Sequence, residues 1–222
     1  MPEAFKITSF VPASAPLRGP ITKFGGQPLW MKDTQWPLSK ATARPLRFIG
    51  QIDLTQPGLG LNDPTMAYLF VEIYDQQDDK YYEENFAVIL QPRLSIGMGG
   101  PVGPVATEQE WLLDGKVVNE PDWAEMSERH STAFEGSDED FEAHTTAFGG
   151  PKLGGTPIAP EEISLPAGSE AGWQLLLQLP EHELDSDNPD NVPFVMDYGD
   201  GGTGWFLLSK NKKEARFAWM SN

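Results

Sequence analysis

The chain has no cysteine among its 222 residues, which excludes disulfides, thiolate zinc sites and cysteine nucleophiles. Histidine is nearly missing too. His130, His144 and His182 are the only three, and none stands three or four residues from another ligand in a zinc-motif spacing. The strained G-x-S-x-G elbow that presents a serine nucleophile does not occur. Apolar runs fall far short of the ~20 residues needed to span a bilayer. The opening MPEAFKITSF has no basic region followed by an apolar stretch, so no secretory signal is expected and a cytoplasmic location is. Long amphipathic helical periods are scarce, whereas glycine (22) and proline (20) are plentiful. That balance predicts an α+β, β-rich, loop-rich single domain over residues 1–222, built on a large mixed or antiparallel sheet with short peripheral helices.

Positive charge is also short. Sixteen Lys and Arg face thirty-three Asp and Glu, a net of −17, and the imbalance is local. Residues 1–60 carry +4 and 203–222 carry +3, while 61–100, 101–147, 148–180 and 181–202 carry −5, −10, −2 and −7. Such a surface repels nucleic acid, whose binding needs Lys and Arg against phosphates. Two acidic segments on one side would set up a field able to steer a basic protein partner.

What stands out positively is Phe194 to Leu208, FVMDYGDGGTGWFLL. Gly199-x-Gly201-Gly202-x-Gly204 brings to mind a dinucleotide fingerprint, but that motif must open a helix. Trp205 to Leu208 are apolar without a helical period, so the stretch reads as strand, turn, strand, with Gly201 and Gly202 as structural turn residues.

A second pattern occurs twice. Lys23-Phe24-Gly25-Gly26-Gln27-Pro28-Leu29 returns 129 residues later as Lys152-Leu153-Gly154-Gly155-Thr156-Pro157-Ile158. Downstream, Phe48 to Leu54 with Gln51 answers Leu175 to Leu179 with Gln178, Ala67 to Val71 answers Gly204 to Leu208, and Phe86 to Ile89 answers Phe217 to Met220. The ordered series predicts two repeat halves, 20–92 and 149–222, each with a glycine turn (Gly25, Gly26; Gly154, Gly155), a glutamine-bearing strand and a hairpin. Three strands bury little alone, so the halves are expected to pack with pseudo-twofold symmetry. Between them, 101–147 reads as an acidic connector holding a short helix after Pro121 and another capped around Ser137.

The order F-G-G-x-P, P-L-R-F-I-G-Q-I-D-L, L-G-G-x-P, L-L-L-Q-L and D-Y-G-D-G-G-T-G-W-F resembles the YwqG-like family of bacterial proteins over nearly the whole chain. The resemblance implies a cytoplasmic α+β domain of unknown function. Some relatives carry a Cys-x-x-Cys pair before the Gln-Ile-Asp strand, which residues 36–45 lack, so no metal role carries over.

The candidate binding residues are Gln51, Asp53, Gln178, Asp197, Asp200 and Trp205. The glutamines stand inside apolar runs, and a buried amide must be hydrogen-bonded. They either tie the sheet to its loops or face, with the aspartates, a cleft between the halves. The loop Asp185 to Asn191 is acidic enough for calcium, but Pro189 and Met196 break EF-hand spacing. No cofactor, metal or catalytic residue is expected. The leading function is a protein-binding one, for instance an immunity-type inhibitor masking a basic partner. The alternatives are an enzyme with Asp53, Asp197 or Asp200 as general base, and a structural subunit.

Overall fold

The computed structural model describes residues 1–40, 42–61, 64–72, 86–93, 103–163, 172–181, 193, 196, 198 and 202–221. Ten strands and two helices follow one another: β1 (Glu3–Pro12), β2 (Lys23–Phe24), β3 (Arg47–Asp53), β4 (Thr65–Val71), β5 (Phe86–Pro92), β6 (Trp111–Asn119), α1 (Trp123–Glu135), α2 (Asp138–Phe148), β7 (Lys152–Gly154), β8 (Trp173–Pro180), β9 (Thr203–Ser209) and β10 (Ala215–Met220). They form one sheet in the order β10-β9-β8-β7-β1-β6-β2-β3-β4-β5. Every neighbouring pair is antiparallel. The end strands β5 and β10 come within 8 Å between Cα atoms, so the sheet curls nearly into a barrel.

Curling gives each strand an inner and an outer face, and in the strands on either flank of the sheet both are covered. Along β4, Ala67, Leu69 and Val71 join the inner core while Met66, Tyr68 and Phe70 join an outer cluster with Trp30 and Phe48. Along β9, Phe206 and Leu208 point in, whereas Trp205 and Leu207 join a second outer cluster with Trp173 and Ile158. Period-2 alternation therefore survives in the packing, although β4 and β9 are buried at every position. This is why both runs are continuously apolar in sequence.

The two glycine-proline turns take the same shape. Gly25, Gly26, Gly154 and Gly155 have φ of 66°, 60°, 70° and 72°, the left-handed region where a Cβ is strained. In each turn the lysine at the head of the motif reaches the carbonyl four residues on, Lys23 Nζ to Gln27 O at 2.8 Å and Lys152 Nζ to Thr156 O at 2.6 Å. Each lysine also meets a glutamate, Glu110 in the first case and Glu120 in the second. The register shifts at matching points too, between Phe48 and Gly50 in β3 and between Leu175 and Leu177 in β8.

One detail of the sequence reading changes. Residues 101–147 are more than a connector, because β6 lies within them and pairs with β1 and β2 in the middle of the sheet. Most of its positions are half-buried or exposed, so its sequence lacks the apolar density of the flanking strands. The turn expected at Gly199–Gly201 lies outside the described residues. On either side of it, the backbone amides of Tyr198 and Gly202 donate to the buried Glu181 carboxylate at 3.1 and 3.3 Å.

At Gly202 the requirement is space, because a Cβ there would overlap Met220 O and lie 2.7 Å from Tyr198 Cβ. Gly202→Val should lower stability by about 2–4 kcal/mol through overpacking against β10. Urea unfolding checks this, and an unchanged midpoint would show that the strand end yields. Gly201 lies outside the described residues.

Candidate functional site

Of the candidate residues that the structure describes, Gln178 and Trp205 meet, at 2.9 Å, whereas Gln51 and Asp53 lie on a different strand. Gln51 and Gln178 lie in β3 and β8, with β7, β1, β6 and β2 between them. Four intervening strands place them about 24 Å apart along the sheet. Each amide is spent on its own turn. Gln51 accepts from Leu29 N at 2.9 Å and donates to Ile21 O at 3.0 Å. Gln178 accepts from Ile158 N at 3.0 Å and from Trp205 Nε1 at 2.9 Å, and its amino group faces the carbonyls of Phe148, Gly149 and Gly150. Asp53 pairs with Arg93 and accepts from Thr55 N and Oγ1 at 3.0 and 2.8 Å. A carboxylate so engaged is held as an anchor for the turn after β3. Asp197, Asp200, His182 and the Asp185–Asn191 loop fall outside the described residues. Among the described residues no three metal-binding side chains are gathered together.

Chemistry-bearing groups concentrate instead on the helical hairpin. Asp122 caps α1 by accepting from Glu125 N at 3.1 Å. Ser137 and Asp140 form a reciprocal capping box on α2. Met126, His130 and Ala133, spaced four and three apart, form the buried stripe of α1. Trp123 and Phe148 pack the hairpin onto the outer cluster of Ile158, Trp173, Trp205 and Leu207.

Beneath the hairpin His130 Nδ1 bonds Glu161 Oε1, and Ser127 Oγ donates to Glu161 Oε2 at 2.9 Å. The trio resembles a hydrolytic triad in composition but not in wiring. The serine proton faces a carboxylate and no base faces the serine oxygen, so the arrangement ties α1 to the 3-10 turn at Pro160–Glu162. His144 lies in the same pocket, its ring 5.4 Å from that of His130 and its Nε2 3.4 Å from Ile158 O.

Burial holds the His144 pKa below its usual 6.5, against the opposing pull of the Ile158 carbonyl and Glu161, while His130 and Arg129 add to the lowering. The unfolded chain then takes up a proton at higher pH than the folded one. The contribution of His144 to stability is complete above pH 6.5 and fades as pH falls through its depressed folded value. Stability should therefore decline below pH 6.5, and His144→Leu should flatten that decline. Urea midpoints between pH 5 and 7.5 check this, with equal slopes in both proteins as the contrary result.

The outer surface of the hairpin is acidic. Asp122, Glu125, Glu128, Glu135, Asp138, Glu139, Asp140 and Glu142 are all exposed, with Arg129 as the single basic residue between 122 and 148. A cleft of about 790 Å³ runs between the helices, with Ala133, Ala143, Ala147 and Phe148 as its floor and Glu125, Glu128 and Asp140 on its rim, where Arg129 pairs with Glu125 at 2.8 Å. Phe134 stands 73% exposed. Glu120, part of the same acidic segment in sequence, is not part of this surface. It is buried, with both carboxylate oxygens 2.9 Å from Lys152 Nζ. Sequence reasoning found the acidity but not the cleft, because Ala133, Ala143 and Ala147 meet only once two separate helices pack.

A curled antiparallel sheet with an acidic helical hairpin on its outer face, and no catalytic set gathered among the described residues, defines a β-rich α+β domain whose distinctive surface is a cleft. The chain belongs to the family described as Domain of unknown function (DUF1963), which it matches over residues 22–218. A search of the curated proteins returns no match. Among the described residues no helix is long and apolar enough to cross a membrane.

Proposed function

We propose that this is a YwqG-like cytoplasmic binding protein of bacterial type that captures a basic protein partner on the α1–α2 hairpin, as an immunity-type inhibitor masks a cationic target. The observation that carries the reading is the cleft with an apolar floor and a rim on which three carboxylates outnumber the one cation, Arg129. Such a groove suits lysine or arginine, whose stem lies on apolar surface while its head meets carboxylates. Exposed Phe134 supplies an aromatic contact beside it. For the alternative enzyme reading, Asp53 is paired and the two glutamines face separate turns, while Asp197 and Asp200 lie outside the described residues.

The test neutralises Glu125, Glu128, Glu139 and Glu142, which are exposed and do not cap a helix. Glu120, Asp122 and Asp140 are left intact, since they hold the fold. A basic partner isolated from the native host should associate about tenfold more slowly with the variant, and more slowly with wild type as salt rises, dissociation changing less. A partner whose association is the same for both proteins at low and high salt would remove the electrostatic reading.

A further inference from the structure

The hairpin cleft has a titratable group in its wall. His144 of α2 lines it beside Ala143, Ala147 and Phe148, and shares it with Glu125, Glu128, Arg129 and Asp140. Three carboxylates and one guanidinium give that lining a net charge of −2 while His144 is neutral, and a proton on the ring halves it to −1. Histidine is the side chain whose charge ordinarily changes between about pH 5 and 8. The cleft therefore carries a charge that pH can set.

The surroundings of the ring leave an added proton poorly compensated. Ile158 O lies 3.4 Å from Nε2 and a carbonyl only accepts, so Nε2 bears the hydrogen of the neutral ring and a second proton enters at Nδ1. Glu161, on the 3-10 turn beneath, is engaged at both oxygens, by His130 Nδ1 and by Ser127 Oγ. From α1, the His130 ring stands 5.4 Å away and Arg129 brings a fixed positive charge. Around the rim, Glu125 is paired with Arg129, and Asp140 accepts from Ser137 N and Oγ at 3.0 and 2.6 Å. Glu128 has no ion pair among the described residues. Burial, with His130 and Arg129 adding to it against Ile158 O and Glu161, holds the ring neutral at pH 7.5.

A cation seated against Glu128 and a proton on His144 then repel each other across one small cleft. Their coupling is reciprocal: each weakens the binding of the other by the same factor, and a pKa change of one corresponds to about tenfold.

We propose that His144 is an acid-release switch in the hairpin cleft: the neutral ring admits the lysine or arginine head of a basic partner, and the protonated ring expels it. The switch presupposes the basic-partner reading of this cleft and adds its control by pH.

An acetylated, amidated octalysine peptide serves as the probe, because its ammonium groups and surface carboxylates keep their charge between about pH 5.5 and 7.5. Amide shifts in 125–148 locate it, and the titration of the His144 ring protons with and without peptide reads the coupling directly. The peptide should bind about threefold to tenfold more weakly at pH 5.5 than at pH 7.5, and should lower the His144 pKa by up to about one. In His144→Gln, whose amide stays neutral and can still donate to Ile158 O, affinity at pH 7.5 should be kept and the pH dependence should disappear. No binding at either pH would remove the basic-partner reading together with the switch. Equal affinity at both pH values, a loss that His144→Gln retains, or a His144 pKa that the peptide leaves in place would overturn the switch alone. The ring titration uses the unaltered protein, so it decides the matter even where the variant does not fold.

Discussion

Gln178→Leu is expected to destabilise the protein by about 3–5 kcal/mol, roughly twice the loss from Gln51→Leu. Leucine removes the acceptor shared by Ile158 N and Trp205 Nε1, two fully desolvated donors, and leaves the carbonyls of Phe148, Gly149 and Gly150 without the amide that faces them. Each buried group left without a partner costs about 1–3 kcal/mol. At Gln51 only Leu29 N and Ile21 O are affected. In that half the residue opposite the glutamine is Tyr68, whose hydroxyl donates to Leu29 O at 2.7 Å and so keeps the turn tied to the sheet. Against a typical total stability of about 5–15 kcal/mol, the Gln178 change should shift the denaturant midpoint far more than the Gln51 change. Equal losses would mean that the extra bonds at Gln178 contribute nothing.

The matching roles of these glutamines extend the argument from sequence. Leu29 and Ile158 stand 129 apart, as do Ile21 and Gly150, and each pair meets the same ends of its glutamine. We propose that the chain is one unit used twice, with boundaries wider than 20–92 and 149–222. The strand order reads alike from either edge, with β1 and β6 as its two central strands. In that reading β1 opens the first copy and β6 the second, and each is lent to the other copy's sheet, β1 beside β7 and β6 beside β2. A superposition that leaves the Gln51 and Gln178 strands unmatched would refute it.

Much of this fold was legible because its signals are local. The paired glycine turns, the glutamine strands, the hairpins after them and the caps at Asp122 and Ser137 are all written within a few consecutive residues. What escaped depends on chain segments that meet only after folding. β1 and β6 carry weaker apolar patterns because parts of them are open to solvent. His130 and Glu161 are 31 residues apart, and no local rule pairs them. Lys40 and Lys213 come from opposite ends of the chain yet line one cleft beside β5 and β10, which segment charges alone do not show. Glu120 stands among acidic neighbours in sequence, whereas its partner Lys152 lies 32 residues on.

That buried pair supports the last prediction. Lys152 is fully buried and Glu120 almost so, and the pair is completed by Thr156 N donating to Glu120 Oε2 at 2.9 Å and by Lys152 Nζ donating to Thr156 O. Glu120→Ala should cost about 3–5 kcal/mol, since it leaves an ammonium buried beside a single carbonyl. Combining it with Lys152→Met should recover most of that loss, because no uncompensated charge remains, although Thr156 N still lacks its acceptor. Lys23 and Glu110 occupy the equivalent turn, but Glu110 is 15% exposed, so water can reach the lysine's partner and Glu110→Ala should cost less. The pair also predicts a pH response. Burial pushes the Lys152 pKa down to about 8 from 10.5 despite the attraction of Glu120. Between those values the unfolded chain binds more protons than the folded one, so the contribution of Lys152 to stability is complete above pH 10.5 and is lost as pH falls through about 8. The double variant lacks the group and should lack this rise. Urea midpoints of the two proteins between pH 7.5 and 10 decide the matter, and parallel curves would show that Lys152 keeps its proton throughout.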